Sequence, residues 1–461
     1  MRKSSLIKVL AMVVCVFMFA TVVVGCGSSS DKDTSTAAAP TSSAAPAGTP
    51  AATTTSHADL TGSILLWHFN QSDGPTLQKA LKAEFPKVKI DLQVTIDTNL
   101  AYQTKLTAAL RSGSGVPDII PAESAFVRRF VNLADCYDDL SAAPYNAKDV
   151  TGKMVPYTLQ IGTDDKGVLR ALSHQATPGA IGYKRDMATK YLGTDDPAKI
   201  SDMLSTPDKM LEVAKTLSDK SAGKAKLIPS QDELYQMARG ARENPWVKDN
   251  KFTIDPKMTE FIDVMKKVRD GKYDAGKKAW QNPWTASFAD DVTFMYAIPT
   301  WGIPYIIATN DKANVDKGRW GLAKGPWSYF WGGTWFGVYS KSQNKDLAWQ
   351  LVKWYVSDPE HLKAWAKQTG DFINNTDLIT ELGNDDSFIN KTVNQNPYKV
   401  WTADDVAKIN GALFTDKDDT INLAFQTATD DFFNGTTKTK EDAIKKFKDA
   451  VKAKYPDLTM D

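Results

Sequence analysis

The segment that most constrains this chain lies between residues 63 and 94, where the hydrophobic period changes twice. SILLWHF (63–69) is a short apolar run, and GPTLQKALKAEF (74–85) carries Leu77, Ala80, Leu81 and Phe85 at helical spacing. VKIDLQV (88–94) alternates with period two, as a second strand does. Strand, helix and strand in so short a span make a βαβ unit whose strands pair in parallel. A further helix over AYQTKLTAALRSG (101–113) leads to a third short strand at VPDII (116–120). The expected fold class is therefore α/β. In such sheets ligands sit beyond the carboxyl ends of the strands, where WHFNQSDG (67–74) and PAES (121–124) fall.

The residues before this unit read as an address. Arg2, Lys3 and Lys8 precede an apolar run, Val9 to Val24, broken only by Thr21 and ending in Val-Val-Gly-Cys. A basic start, an apolar run and small residues at the cut make a secretion signal over 1–25. The run is short for a spanning helix, which needs about 20 apolar residues. Its end resembles the lipobox of bacterial lipoproteins, which implies cleavage before Cys26 and lipidation of that cysteine; an uncleaved signal anchor is the plainer alternative. Each buried CH₂ of an acyl chain contributes about 0.8 kcal/mol to membrane attachment. Residues 26–57 continue in Ser, Thr, Ala and Pro without periodicity or large apolar side chains, as a flexible tether.

The body of the chain is too long for one ordinary domain and suggests two lobes. Its hydrophobic fraction of 42% supplies an ample core, and a net charge of +1 gives no support to nucleic-acid binding. Of three cysteines, Cys15 lies in the signal and Cys26 at the lipobox, so Cys136 has no partner for a disulfide or a cysteine-based metal site. It reads as a small buried apolar residue. Nothing in the sequence calls for a cofactor.

Several stretches in a fixed order carry a resemblance. A lipobox and a Ser/Thr/Ala/Pro tether precede a strand ending at Trp67, and helix 101–113 runs into GSGVPDII. NKDLAWQLVKWYVSDPEHLKAW (344–365) and TGDFINN (369–375) follow much later. The chain resembles the family 1 extracellular solute-binding proteins, the maltodextrin-binding-protein-like substrate-capturing components of ABC importers. FWGGTWFG (330–337) with TGDFINN is similar to a carbohydrate-binding branch from Gram-positive bacteria. The resemblance implies a two-lobe periplasmic-binding-protein-like fold of type II, its lobes joined by crossing hinge strands with the sugar between them. It places lobe 1 over 58–170 plus 325–373 and lobe 2 over 171–324 plus 374–461. It also implies a carbohydrate ligand, ABC permease subunits as partners and a monomer held on the outer face of the cytoplasmic membrane by its lipid.

The aromatic residues agree with that implication. Of thirteen tryptophans only Trp67 precedes residue 246. A sugar offers an apolar face and a rim of hydroxyls, so its capture needs flat aromatic platforms and a few placed polar groups. Trp301 ends the strand-like run VTFMYAIPTW (292–301), and the family pattern implies that such a strand ends on an aromatic facing the sugar. Trp331 and Trp335 straddle Gly332-Gly333, a pair that lets backbone approach a ligand; Trp335 has core packing as its alternative. By the same pattern Trp67, His68 and Glu123 follow strand ends in lobe 1, while Gln175 and Tyr183 belong to SHQATPGAIGYKRD (173–186). Gln231 and Asp232 correspond to a cleft loop, and Trp284, like Trp280, lines the second rim or packs a helix. Asp73 is a further candidate whose alternative is the cap of helix 74–85. Trp349, Trp354 and Trp365, on an amphipathic helical segment, and Trp320 and Trp327 read as packing.

Two other classes stay open at this level. A lipid-anchored glycoside hydrolase needs two carboxylates about 5–9.5 Å apart across a cleft, and the many Asp doublets look more like caps and solvated turns. No G-x-S-x-G elbow, H-E-x-x-H pair or phosphate-binding glycine loop is present. A surface adhesin without a small ligand would fit the tether equally well. A cationic ligand such as a polyamine would call for a cleft rich in carboxylates.

Overall fold

A computed structural model describes residues 56–461; the signal-like run, Cys26 and nearly all of the tether lie outside the described residues. In chain order the first strands are β1 (Gly62–His68), β2 (Val88–Val94), β3 (Ile119–Glu123), β4 (Leu172–Ser173) and β5 (Gly179–Lys184). They are followed by β6 (Val247–Lys248), β7 (Lys251–Phe252), β8 (Met295–Pro299), β9 (Trp320–Ala323), β10 (Thr334–Val338) and β11 (Thr459–Met460). Two sheets organise the molecule. One runs β2-β1-β3-β10-β4 and the other β8-β5-β9, while β11-β7-β6 forms a small third sheet.

The opening unit folds as its periodicity predicts. β1 and β2 pair in parallel from Gly62↔Val88 to His68↔Val94, and the helix between them spans Asp73–Glu84. The third strand starts three residues later than its apolar run suggests. Asp118 is spent on the connection: its Oδ2 accepts from the Leu65 amide at 2.8 Å and its Oδ1 from the Ser342 hydroxyl at 2.5 Å. β3 then continues through Pro121 to Glu123, because β10 lies antiparallel along it and pairs Phe336 with Pro121. The parallel unit therefore belongs to a mixed sheet.

Helix starts follow a repeated local code. Asp196, Thr206, Asp255 and Asp358 each precede a proline at the first helical position. Each side chain accepts a backbone N–H of the first turn, which satisfies a donor the helix leaves free. Part of the abundance of Asp doublets is explained this way.

Three cores fill the fold. One lies between β1, β2 and β10 and the helix Lys345–Ser357, around Ile64, Leu66, Phe336 and Trp349. Another joins β5 and β9 to the helices Pro207–Ser221, Gln231–Gly240, Pro256–Asp270 and Asp418–Phe433. The final helix Lys440–Lys454 packs there through Ala443, Phe447 and Val451. The third contains residues from both main sheets, among them Trp67, Tyr296 and Trp335, together with Tyr157 of the helix Pro156–Gly162. The chain passes from β4 to β5 through residues 174–178 and returns from β9 to β10 through 324–333. These two crossings touch at Pro178↔Phe330, and residues 371–374 lie against the first: Ala176 N–H donates to Phe372 C=O at 2.9 Å and Asn374 N–H to His174 C=O at 3.0 Å.

Candidate functional site

A cavity of about 430 Å³ opens where these crossings meet the strand ends. The segment after β1 contributes His68, Phe69, Asn70, Ser72 and Asp73, and the end of β3 contributes Glu123. His174 and Gln175 come from one crossing and Trp331, Gly332 and Gly333 from the other. Trp301, Tyr305 and Ile306 follow β8, Trp280 comes from the loop before Asn282–Ser287, and Thr334 and Phe336 belong to β10. Tyr355, Trp365 and Asp371 close the remaining side.

Three indoles form one wall. Trp280 and Trp301 lie nearly parallel, at 14° with centroids 6.4 Å apart, and Trp331 stands edge-on to both at 5.7 and 5.6 Å. The Trp301 indole N–H donates to the Trp331 carbonyl at 2.7 Å, which fixes one ring against the other strand end. Gly332 and Gly333 make this contact possible. Both have positive φ, at 83° and 105°, and a Cβ on Gly332 would stand 2.4 Å from the Trp301 Nε1. Trp280 is 59% exposed and holds φ at 67°, in the left-handed region. A bulky residue there costs on the order of 1–3 kcal/mol and tends to mark a functional position.

Among the polar groups His68, His174, Gln175 and Asp371 are buried, Asp73 and Glu123 are half-buried, and most are oriented by neighbours. His68 Nδ1 accepts the Asn70 amide N–H at 3.0 Å, which assigns the proton to Nε2. Burial lowers its pKa to about 4, so the ring is neutral at neutral pH. His174 is only 4% exposed, and among the described residues neither ring nitrogen has a hydrogen-bond partner. Burial among Tyr355, Trp365 and Phe336 lowers its pKa to about 3. Asp371 accepts from Thr300 Oγ1 at 2.9 Å, Gln175 Nε2 at 2.5 Å and its neighbour's amide, Phe372 N–H, at 2.8 Å. Burial outweighs these bonds and pushes its pKa up to about 6. Glu123 accepts from Ser124 Oγ at 2.6 Å and Ala125 N–H at 2.8 Å. Burial also raises Glu123 and Asp73, with the Arg239 charge and the Tyr305 hydroxyl respectively acting in the opposite sense.

Six of the twelve residues singled out from sequence line this cavity: His68, Asp73, Glu123, Gln175, Trp301 and Trp331. Asp73 does not cap its helix, since Asn70 Oδ1 accepts from the Ser72 and Asp73 amides instead. The other six lie elsewhere, each for a local reason. Trp67 points to the opposite face of β1 from His68 and sits in the core beneath the Lys105 ammonium, 4.0 Å from its ring centroid. Tyr183 is buried in β5 and donates to Asp195 C=O at 2.7 Å. Gln231 is buried at a helix start against Asp430. Asp232 accepts the Ala279 amide at 2.8 Å and so supports the loop that carries Trp280. Trp284 is buried and donates to Glu233 at 2.8 Å, making Trp280 the member of that pair at the rim. Trp335 is fully buried, its indole donating to Thr158 C=O at 2.8 Å. Trp365, expected as packing, is buried yet forms part of the cavity wall, as does the buried Phe336. His174, Asp371 and Tyr355 were not singled out; each stands in a stretch of mostly apolar or hinge-forming residues, with no chemical signature of its own.

Among the described residues no cluster of three or more His, Cys, Asp or Glu side chains is placed to hold a metal ion. No described helix is long and apolar enough to cross a membrane.

The model of the bacterial extracellular solute-binding protein family matches residues 77–397, more than half of the chain. The chain belongs to this family. Solved structures agree in fold. An extracellular solute-binding protein of family 1 superposes with a TM-score of 0.74 at 20% identity, covering 84% of this chain and 99% of that one. The sugar-binding protein MalE from Xanthomonas citri gives 0.68 at 15% identity, over 86% of this chain and 99% of that one. An ABC transporter associated binding protein from B. animalis subsp. lactis, in complex with beta-1,6-galactobiose, gives 0.65 at 19%, over 87% and 100%. The fold of this solute-binding protein is thus the two-lobe α/β fold of periplasmic binding proteins. No curated protein sequence matches it. Members of the family bind solutes, and several of the fold neighbours are binding proteins of ABC transporters.

Proposed function

We propose that this solute-binding protein captures a sugar, an oligosaccharide, in the cavity at the crossings and delivers it to the permease of an ABC importer. The observation that carries this reading is the wall formed by Trp280, Trp301 and Trp331 beside buried polar groups. Parallel and edge-on indoles offer flat apolar platforms to pyranose rings, while His68, Glu123 and Asp73 offer donors and acceptors to hydroxyls. Lobe 1 is carried by the sheet β2-β1-β3-β10-β4 and lobe 2 by β8-β5-β9, so the boundary expected at 170/171 is moved past β4 to the crossing at 174–178. They close on the ligand by bending at residues 174–178 and 324–333. Ligand stabilises the closed form only through its greater affinity for that form.

The protein works as a monomer, lipidated at Cys26 after removal of residues 1–25. Residues 26–57 tether it at the outer face of the cytoplasmic membrane of a Gram-positive cell. Binding proceeds without bond cleavage, in keeping with a family whose members bind solutes. Product formation on incubation with oligosaccharides would instead support a hydrolase. The direct test is intrinsic tryptophan fluorescence during titration with neutral di- and trisaccharides. A saturable change with at least one sugar is expected, and a flat response across the panel refutes the sugar reading.

A further inference from the structure

The lining of the cavity has a one-sided charge. Asp73 follows β1, Glu123 ends β3 and Asp371 joins the crossings, so the three carboxyl groups reach the space from separate elements. Among the described residues no lysine or arginine lines it. The Arg239 charge is felt by Glu123 from the helix Gln231–Gly240, but that side chain is not part of the wall.

We propose that this cavity admits uncharged sugars and refuses acidic ones, and that Asp73, Glu123 and Asp371 make the selection. The proposal rests on the sugar reading above and narrows its substrate class. An acidic sugar would bring a further negative charge against these three carboxyl groups. At an effective dielectric of about 20 and a spacing of roughly 6 Å, one like-charge contact weakens binding by about 100-fold. Proton uptake by a buried carboxyl recovers part of that loss, so a discrimination of at least about 10-fold is the expected floor.

His174 points the same way independently. Its ring is buried in the wall, and both nitrogens lack partners among the described residues. A neutral imidazole presents one N–H and one lone pair. Sugar hydroxyls, which both donate and accept, satisfy the two together. A carboxylate, phosphate or sulfate group only accepts, so it meets the N–H and leaves the lone pair facing negative charge. Leaving a buried polar atom unpaired is costly, and the wall is complementary to hydroxyls on this count as well as by charge.

The test uses matched pairs that differ only by oxidation at C6: cellobiose with cellobiouronic acid, α-1,4-galactobiose with α-1,4-digalacturonate, and maltose with maltobiouronic acid. Each is titrated calorimetrically at pH 7.5 into the wild-type protein and into Glu123→Gln and Asp73→Asn, after their thermal midpoints are compared with wild type. Where a neutral member binds, its acid is expected to bind at least 10-fold more weakly, and one or both variants narrow the gap. An acid that binds as tightly as its neutral partner overturns the proposal and leaves the sugar reading intact. So does a gap that neither variant changes. If no member of any pair binds, the sugar reading falls and takes the proposal with it.

Discussion

Trp280 and Trp284 are four residues apart in KKAWQNPWTASF, and their substitution should separate binding from folding. A tryptophan side chain presents up to about 250 Å². With 59% of Trp280 exposed, roughly 150 Å² of its surface is available to a ligand and about 100 Å² already packs on Trp284, Trp301 and Trp331. A sugar that covers half of the available surface gains about 75 Å² of apolar contact, near 1.9 kcal/mol at about 25 cal/mol per Å². Trp280→Gly should therefore raise the Kd by about 20-fold. Its folding penalty is small, because the roughly 2.5 kcal/mol of lost packing is offset by about 1–2 kcal/mol once glycine occupies the left-handed position. Trp284→Ala does the reverse. That ring is buried against Phe288 and hydrogen-bonded to Glu233, so its truncation should cost about 3–5 kcal/mol of stability.

The assay pairs calorimetric titration of the sugar found by fluorescence with urea unfolding of both variants. The expected outcome is a weak-binding, nearly wild-type-stable Trp280→Gly and a destabilised Trp284→Ala. Unchanged affinity in Trp280→Gly, or a loss of stability there that matches Trp284→Ala, refutes the assignment of Trp280 to the ligand platform.

Further outcomes follow from the same geometry. Gly332→Ala places a methyl group against the Trp301 indole in a left-handed backbone, and should weaken sugar binding at least 10-fold while costing about 2 kcal/mol or more of stability, read by titration and urea unfolding. His174 has a folded pKa near 3, below its unfolded value of 6.5, so the unfolded state takes up its proton first and stability falls as pH drops through 6.5 toward 3. In His174→Phe this loss disappears, so the variant's stability relative to wild type should improve by about 2 kcal/mol between pH 7.5 and pH 5, measured by denaturant unfolding at both. An improvement near zero would mean the ring is protonated or exposed at pH 5. Cys26→Ala should abolish incorporation of labelled palmitate and release the protein into the medium, whereas continued membrane retention of the variant would argue for an uncleaved anchor.

The parts legible in the sequence were those set by local periodicity. β1, β2 and the helix between them follow from residues that bury one face against their own neighbours, so their spacing alone encodes them. The onset of β3 was not encoded that way. Its apolar run begins at Val116, but Asp118 is committed to Leu65 and Ser342, and the strand's far end depends on β10, more than two hundred residues later. The site divides along the same line. Strand ends are local signals where ligands gather in such sheets, and the family resemblance then implied that His68, Glu123 and Trp301 at those ends face the ligand. Which face a ring takes is decided by partners distant in sequence. Trp335 and Trp331 differ because Thr158 receives the indole N–H of the former, while the latter's carbonyl receives that of Trp301. Asp371 shows the limit most sharply: it becomes a wall of the cavity only because Thr300, Gln175 and Trp365 arrive from three other segments, and no spacing within TGDFINN records that meeting.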